Sequence, residues 1–316
     1  MHGSESAPAP GASRRDERRG AGIAAIVVTT VAWAFPPLIL KQTSMAPLAF
    51  AAYRLWVGVA LYAVMFAVTA RRLRWATIRA CAPGGVLFAL DIGLAFSAFK
   101  LTSVADATII GSLSTVTITI GAARWFGERL QRGDLLFVAA SIAGVAFVAI
   151  GSSGTPSFSL VGDLCALASV FSWTAYWLFS KRARANTAAL EYMAAVMLVA
   201  AVIVTAAAPA AGASLALPSK ADWAGICAVA LFAGAVGHSL VAWSHQHVEA
   251  WLAALILQSL PVVSVILAWF ILGQTIGPVT AGGGLLVFVA TATLVVRAGR
   301  RDPGRFEDAD TTAPNP

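Results

Sequence analysis

Charged residues are scarce in this chain. Asp, Glu, Lys and Arg make up only 12% of its 316 residues, whereas hydrophobic residues make up 59%. A water-soluble domain of this size carries about 25% charged residues, so this composition excludes an ordinary soluble globular protein. The excess apolar surface is expected to face lipid, which indicates an integral membrane protein.

Cysteine is also rare. The three cysteines, Cys81, Cys165 and Cys227, are far apart, and each lies within or at the edge of an apolar run. Such spacing forms neither a zinc site nor a disulfide framework, so we interpret them as small packing residues. The sequence also lacks a His-Glu-x-x-His motif, and we expect no metal and no cofactor.

The N-terminus lacks a short apolar segment with a cleavage site, so we expect no removable signal peptide. Both ends of the chain are polar, and we expect disordered cytoplasmic tails at 1–21 and 298–316. The net charge is +7, but the basic residues lie in short clusters between apolar runs. This pattern is typical of cytoplasmic loops, so we expect a lipid bilayer as the partner and no nucleic acid.

Ten apolar runs are long enough to cross a membrane as helices, which takes about 20 residues. The connections are short and leave no room for a soluble domain. We therefore predict an all-α integral membrane protein with ten transmembrane helices, as two inverted five-helix repeats at 22–151 and 160–297. The runs lie at 22–40, 47–69, 81–99, 105–123, 133–151, 160–179, 189–209, 223–243, 250–272 and 277–296.

The distribution of Lys and Arg predicts the orientation. If the N-terminus is cytoplasmic, the cytoplasmic segments hold 18 of the 22 Lys and Arg residues. The external segments then hold Lys41, Lys100 and Lys220, and Arg54 lies inside a run. Short cytoplasmic loops are enriched in Lys and Arg, so we predict a multi-pass protein of the cytoplasmic membrane with both termini cytoplasmic.

The two halves of the chain resemble each other, which indicates a duplicated unit. Trp33 and Lys41 match Trp173 and Lys181 at a common offset of 140 residues. Later matches follow in the same order, with small changes in offset of the kind that loop insertions cause. They pair GLAFSAF at 93–99 with GHSLVAW at 237–243, GSLSTV at 111–116 with QSLPVV at 258–263, and RWFGERLQRG at 124–133 with FILGQTIG at 270–277.

Five spans are an odd number, so the second copy must enter the membrane upside down relative to the first. The loop charges agree with this inversion. Loops 71–79 and 124–132 are basic, whereas their counterparts at 210–222 and 273–280 hold one Lys and no charge, respectively. We therefore predict inverted repeats.

These features resemble the EamA-type family of the drug/metabolite transporter superfamily over roughly residues 22–297. The family often has Glu in the Gly-Glu-Arg-like position of its second copy, where this chain has Gly273-Gln274. The resemblance implies transport of small metabolites, amino acids or drugs through a central cavity, driven by an ion gradient or by exchange. It rests on the segment Trp33 to Lys41, Arg54, Phe126-Gly127-Glu128-Arg129-Leu130, Gly133, Gly144 and Ser259-Leu260-Pro261-Val262-Val263.

Two charged residues, Arg54 and Asp91, lie well inside their runs, at similar depths of roughly 10–12 Å at 1.5 Å per helical residue. Asp91 lies near the middle of the third run, where a carboxylate costs about 2.5–3.5 kcal/mol. We expect it either to exchange protons during transport or to be a structural partner. Arg54 either pairs with Asp91, for which its fork geometry is suited, or extends to the outer interface.

Several further side chains are candidates for the substrate path. Trp33 and Trp173 are equivalent in the two halves, and Pro36 and Pro37 are expected to interrupt the first helix. Both Trp residues either line the cavity or pack between helices. Neighbouring residues on a helix point about 100° apart, so His238 and Ser239 are not expected to form a catalytic pair. His238 is expected either to pack between helices or to line the cavity, and weaker lining candidates are Tyr176, Trp177 and Gln258.

The sequence therefore predicts a permease or exporter of a small molecule that works by alternating access, as a monomer or homodimer. The alternatives are an intramembrane enzyme and a membrane receptor without transport activity. No catalytic residues are assigned. Against the enzyme, no pair of catalytic Asp residues lies on neighbouring spans.

Overall fold

The computed structural model describes residues 10–36, 39, 43–128, 130–153 and 159–299, and every regular element in this part of the chain is helical. The helices are α1 (Pro10–Ala34), α2 (Pro47–Val68), α3 (Trp75–Leu101), α4 (Val104–Ser112 and Ser114–Phe126), α5 (Asp134–Ser153), α6 (Leu160–Arg184), α7 (Ala189–Ala210), α8 (Lys220–Val229, a π-helical stretch Ala230–Gly237, and His238–Ser244), α9 (Ala250–Leu257 and Leu260–Leu272) and α10 (Pro278–Gly299).

Eight helices in the described part of the chain, all except α1 and α6, are long and apolar enough to cross a membrane. The remaining two open the two halves of the chain, and they are the helices that carry Trp33 and Trp173. Their lower apolar content has a local cause. The first half of α1 is polar and basic, and α6 carries Asp163 near its start and Lys181 near its end.

Helix α1 begins at Pro10, so residues 10–21 are helical although the composition predicted a disordered tail up to residue 21. One long-range contact lies near the end of this segment. The guanidinium of Arg19 forms an ion pair with Glu249 at 3.1 Å. Of the expected N-terminal tail, residues 1–9 lie outside the described part of the chain. Of the expected C-terminal tail at 298–316, residues 300–316 lie outside it.

Each helix of the first half has a counterpart five helices later, so that α1 corresponds to α6 and α5 to α10. The contacts between helices repeat between counterparts. Helix α3 packs against α6 and α7, and its counterpart α8 packs against α1 and α2. Similarly, α4 packs against α6, and α9 packs against α1. The counterpart pairs α2–α7, α4–α9 and α5–α10 also contact each other. The two halves are therefore interleaved, and the two largest clusters of buried residues contain side chains from both halves.

Helices α4 and α9 share two local irregularities. Each is interrupted near its middle, at Leu113 in α4 and at Gln258 and Ser259 in α9. Each ends at a glycine with left-handed backbone geometry, with φ of 67° at Gly127 and 65° at Gly273. Glycine adopts this geometry without steric cost and commonly terminates helices. The repeat seen in the sequence is thus present as a matching pair of broken helices.

Counterparts α5 and α10 cross through glycine. A Cβ atom on Gly283 would lie 2.7 Å from the carbonyl oxygen of Gly144, and one on Gly144 would lie 2.8 Å from the carbonyl oxygen of Gly283. At the ends, Arg297 of α10 donates to Asp134 at the start of α5 at 3.0 Å. The start of one helix meets the end of the other, so α5 and α10 run antiparallel.

This crossing predicts a sharp difference between two adjacent glycines. We expect Gly283→Ala to destabilise the protein by about 1–3 kcal/mol, because the backbone atoms it would meet cannot move aside as a side chain could. Gly282→Ala is the control, because no described atom lies within 4 Å of the position that its methyl group would occupy. It should be neutral or slightly stabilising, since Ala favours helix more than Gly. Thermal unfolding of the purified protein in detergent measures both, and equal Tm values would contradict the close approach of the two backbones.

Candidate functional site

An aromatic cluster joins the two halves of the chain. It consists of Trp33 on α1, Phe88 on α3, Trp173 and Tyr176 on α6, and His238 on α8. Trp33 lies edge-on to Trp173, with ring centroids 5.8 Å apart, and stands 4.6 Å from the ring of His238. Phe88 is 4.9 Å from His238 and 5.1 Å from Tyr176. Such rings form a wall suited to an apolar or planar ligand.

Trp33 is held by the π-helical stretch of α8. Its indole N–H donates to the carbonyl of Ala233 at 2.9 Å. Thr29 donates to the carbonyl of Gly237 at 3.2 Å, and Tyr62 of α2 donates to that of Ala235 at 3.3 Å. A π-helical turn disrupts the regular hydrogen-bond pattern and often marks a functional site. Here α1 and α2 supply side-chain donors to its carbonyls.

Close packing brings Trp33 onto the backbone of α8. A Cβ atom on Gly237 would lie 2.5 Å from the indole nitrogen of Trp33, so only glycine leaves room for the ring. The described part of α1 ends at Ala34, before Pro36, as proline is expected to interrupt a helix. The carbonyl of Ala34 accepts a bond from Ser264 of α9 at 3.3 Å. Pro37 lies outside the described residues.

Asp91 and Arg54 lie beside this cluster, and both side chains are half-buried. The Ser169 hydroxyl of α6 donates to Asp91 Oδ1 at 2.6 Å. Arg54 and Asp91 attract each other electrostatically. Within the described residues, however, their nitrogen and oxygen atoms form no ion pair at or below 4.0 Å, and Arg54 has no hydrogen-bond partner. The two charges expected at similar depths therefore lie near each other but do not form the direct pair.

His238 and Ser239 serve different neighbours. The ring of His238 packs between Trp33 and Phe88, whereas the Ser239 hydroxyl lies 2.7 Å from the Tyr62 hydroxyl. A nucleophile and its base must lie within hydrogen-bond reach, and these two side chains point to different partners. In the described part of the chain, no three His, Cys, Asp or Glu side chains come together as metal ligands.

Comparison with known proteins identifies the family. The sequence model of the EamA-like transporter family matches residues 20–150 and, a second time, residues 160–296. The chain belongs to the EamA-like transporter family. It is thus a multi-pass membrane protein of the drug/metabolite transporter superfamily, and membership of a transporter family favours transport over the enzyme and receptor alternatives.

The fold also occurs in a solved structure. One solved structure, described only as a crystal structure of a protein, superposes with a TM-score of 0.73 and 21% sequence identity. The superposition covers 88% of the EamA-like chain and 98% of the other. At this identity the likeness shows the fold alone. No curated protein sequence gives a significant match.

The sequence-based candidates of this EamA-like transporter occupy two places. Trp33, Trp173, Tyr176 and His238 form the aromatic cluster, with Asp91 and Arg54 beside it. Gln258 lies at the break in α9, where its amide is buried and has no hydrogen-bond partner in the described part of the chain. Its role as a lining residue stays a prediction.

Sequence reasoning missed Phe88, Tyr62 and Ser169. Two of them could have been found from helical spacing, because residues three or four apart share one face of a helix. Phe88 precedes Asp91 by three residues, and Ser169 precedes Trp173 by four. The role of Tyr62, by contrast, depends on a carbonyl of the π-helical stretch, which spacing within α2 does not reveal.

A polar network, here called the latch, closes the bundle at the end where α1 begins and α6 ends. Glu128, after α4, accepts a hydrogen bond from the backbone N–H of Ala250 at 2.8 Å and caps the start of α9. The same carboxylate forms an ion pair with Lys181 of α6 at 2.8 Å. Lys181 also donates to the carbonyl of Val248 at 2.8 Å. The family's loop glutamate is therefore part of the structural framework in this chain.

The loop between α8 and α9 completes the latch. Arg184 donates to the carbonyl of Ala242 at 2.7 Å and to the Gln246 side chain at 3.0 Å. His245 Nδ1 lies 3.0 Å from the Ser180 hydroxyl. Burial, together with the charges of Lys181 and Arg184, holds the pKa of His245 well below its ordinary value. The ring is therefore neutral at physiological pH and adds no third positive charge.

Proposed function

We propose that this EamA-like protein is a secondary transporter that carries a small organic molecule across the cytoplasmic membrane through the aromatic cluster. The observation that carries the proposal is the composition of that cluster. Its rings come from α1 and α3 of the first half and from α6 and α8 of the second, and half-buried charges adjoin them. A site at the interface between repeats is where relative movement of the halves changes access.

The proposed architecture has ten spans in two inverted halves, divided at 22–151 and 160–297, and the antiparallel course of counterparts α5 and α10 supports the inversion. The charge distribution supports cytoplasmic termini. In a cysteine-free variant, we expect an impermeant thiol reagent added to intact cells to label a Cys introduced at Leu217, which is exposed, and to leave one introduced at Ala185 unlabelled. The reverse pattern would exclude this orientation.

Alternating access assigns a role to the latch. A carrier opens its site to one side of the membrane at a time. The latch ties α4 and α6 to the α8–α9 loop and the start of α9 at the proposed cytoplasmic end, so these contacts must separate when the site opens to the cytoplasm. The π-helical stretch of α8 lies between the latch and the outer end of the same helix, where it couples α8 to α1 and α2.

A transport assay with Trp variants tests the function. Trp173→Ala should lower the transport rate per folded protein by about tenfold, since an aromatic contact contributes about 0.5–1.5 kcal/mol and 1.4 kcal/mol corresponds to a factor of ten. Trp33→Phe keeps an aromatic ring but loses the bond to Ala233, so it should also alter α8. Counterflow of labelled metabolites, amino acids and drugs into proteoliposomes provides the measurement.

The matched control is Trp125→Ala, because Trp125 on α4 is 59% exposed and lies away from the cluster partners. It should transport like the unchanged protein. If transport by Trp173→Ala falls only in proportion to the amount of folded protein, the ring is a packing residue. If no labelled compound from the panel is carried by the unchanged protein, the transporter proposal fails.

A further inference from the structure

We propose that the substrate is an organic monocarboxylate with an apolar or aromatic body, bound through Arg54, and that it crosses the membrane together with one proton carried by Asp91. This inference rests on the transport function proposed above and adds the substrate class and the direction of coupling. Substrate and proton would move in the same direction.

Among the described residues, the guanidinium of Arg54 has no direct partner. Arg54 lies within α2, and in the described part of the chain it has neither an ion pair nor a hydrogen bond. A charged side chain within a membrane is costly unless it is paired or reaches water. The planar guanidinium offers paired donors that match a carboxylate. Arg54, with its donors unoccupied beside the aromatic cluster, is therefore a site for a carboxylate ligand.

The carboxyl group of Asp91 is held close to Arg54 without contacting it. Its Oδ1 accepts the Ser169 hydroxyl at 2.6 Å, which anchors the carboxyl group to α6. Asp91 interacts with Arg54 electrostatically but leaves the guanidinium without a direct partner. Asp91 therefore influences Arg54 while the donors of the guanidinium stay free for a second carboxylate.

The net charge of Arg54, Asp91 and a bound carboxylate depends on which of substrate and proton is loaded. When the site is empty, Arg54 and an ionised Asp91 together carry no net charge. When a substrate carboxylate is bound, the two anions repel each other, and a proton on Asp91 removes the repulsion and restores neutrality. The two partly loaded states, anion alone and proton alone, carry a net charge and are costly in a membrane. Only the empty and the doubly loaded states are therefore favourable for crossing.

The proton comes from water and returns to water. The Asp91 carboxylate takes one proton from water on the side where the substrate enters and releases it on the other side, and no bond of the substrate is changed. Ser169 can remain a neighbour in both states, because a hydroxyl both donates and accepts. The other titratable groups around this pair come from α2, α6, α7 and α8, and they are Tyr62, Tyr176, Tyr192 and His238.

The aromatic cluster specifies the rest of the molecule. Four rings contact one another in sequence, with centroid separations of 5.1 to 5.8 Å. The order is Trp33, Trp173, Tyr176 and Phe88. They provide apolar faces next to the charges. A carboxylate attached to an aromatic or branched apolar body satisfies Arg54 and this wall at the same time.

Binding of phenylacetate to the full-length protein in detergent tests the proposal without interference from permeation through lipid. Phenylacetate should quench or shift the tryptophan fluorescence, and one proton should be taken up from a weakly buffered solution for each anion bound. The affinity should fall as pH rises, by up to about tenfold per pH unit, because binding and protonation are linked. Phenethylamine, the matched cation, should bind at least tenfold more weakly.

Variants separate the two charges. Arg54→Gln should weaken phenylacetate binding about 10- to 100-fold, the effect of losing a charged hydrogen-bonded partner, and Arg54→Lys should weaken it less and still take up a proton. Asp91→Asn should bind phenylacetate without proton uptake and with little dependence on pH. His238→Gln removes a ring of the aromatic cluster and should weaken phenylacetate binding, but each bound anion should still bring one proton, since Asp91 carries the proton.

Two results would overturn the proposal. If phenylalanine, the matched zwitterion, binds more tightly than phenylacetate and loses its affinity in Asp91→Asn, Asp91 is the partner of a substrate amine. If phenylacetate neither binds nor competes with a solute that the proteoliposomes do carry, the substrate class is wrong while the transport function stands. Absence of any carried solute would instead count against the transport function itself.

Discussion

Asp91→Asn should abolish the acceleration of transport by a pH gradient while leaving exchange of substrate across the membrane intact. The side chain keeps its size and its ability to bond Ser169, but it can no longer lose a proton. The loaded carrier stays neutral and can cross, whereas the empty carrier keeps the uncompensated charge of Arg54 and cannot return. A gradient of one pH unit, worth a factor of ten in accumulation, should then produce no accumulation.

Two controls sharpen this experiment. Ser169→Ala removes the hydroxyl bonded to Asp91 but leaves the carboxyl group, so it should alter the pH at which coupling is half-maximal and retain coupling itself. If Asp91 is only a structural partner of Arg54, Asp91→Asn should be poorly folded, and adding Arg54→Gln should restore folding. Normal gradient-driven uptake by Asp91→Asn would remove this residue from the mechanism.

The second large effect is expected at Glu128, whose side chain is only 3% exposed. Glu128→Leu leaves Lys181, 16% exposed, without its carboxylate, and it also removes the acceptor for the first backbone N–H groups of α9. Loss of one partner of a buried ion pair costs about 3–5 kcal/mol. We expect a loss of stability of this size, measured by thermal unfolding in detergent.

Glu249 supplies the matched control, because it also precedes α9 and also forms an ion pair. The Arg19–Glu249 pair is part-buried, and Glu249 at 21% exposed is far more accessible than Glu128. Water screens such a pair, so it contributes less than a buried one. Glu249→Leu should therefore have a small effect. Adding Lys181→Met to Glu128→Leu should recover part of the stability by removing the stranded charge. Equal losses for Glu128→Leu and Glu249→Leu would show that the buried pair is not a main support of the latch.

The broken helices α4 and α9 show how far sequence reasoning reached into the fold. The match between GSLSTV and QSLPVV identified equivalent segments, and both contain or adjoin a helix break in the structure. The two glycines that end these helices were also visible as a matched pair. The break itself was not predicted, because apolar content measures the ability to span a membrane and is insensitive to one missing backbone bond.

The latch lay beyond sequence reasoning for a different reason. In the sequence, Glu128 belongs to the family-like segment Phe126 to Leu130, and Lys181 matches Lys41 in the other half of the chain. Their pairing joins residues 53 positions apart and also involves the start of α9. This capping depends on the ends of α4 and α6 meeting the start of α9. No local sequence pattern predicts that meeting.

The sequence by itself determined the membrane class, the helical runs, the duplicated halves and the family, because each follows from apolar content or from order along the chain. Only the tertiary structure decided which faces of the helices meet. The π-helical stretch of α8, the Asp91–Ser169 bond and the free guanidinium of Arg54 all depend on how each helix is rotated about its axis. In lipid a helix is apolar on most sides, so the pattern of apolar residues specifies this rotation weakly. Packing between helices, with the polar contacts it permits, sets that rotation and thereby forms the site.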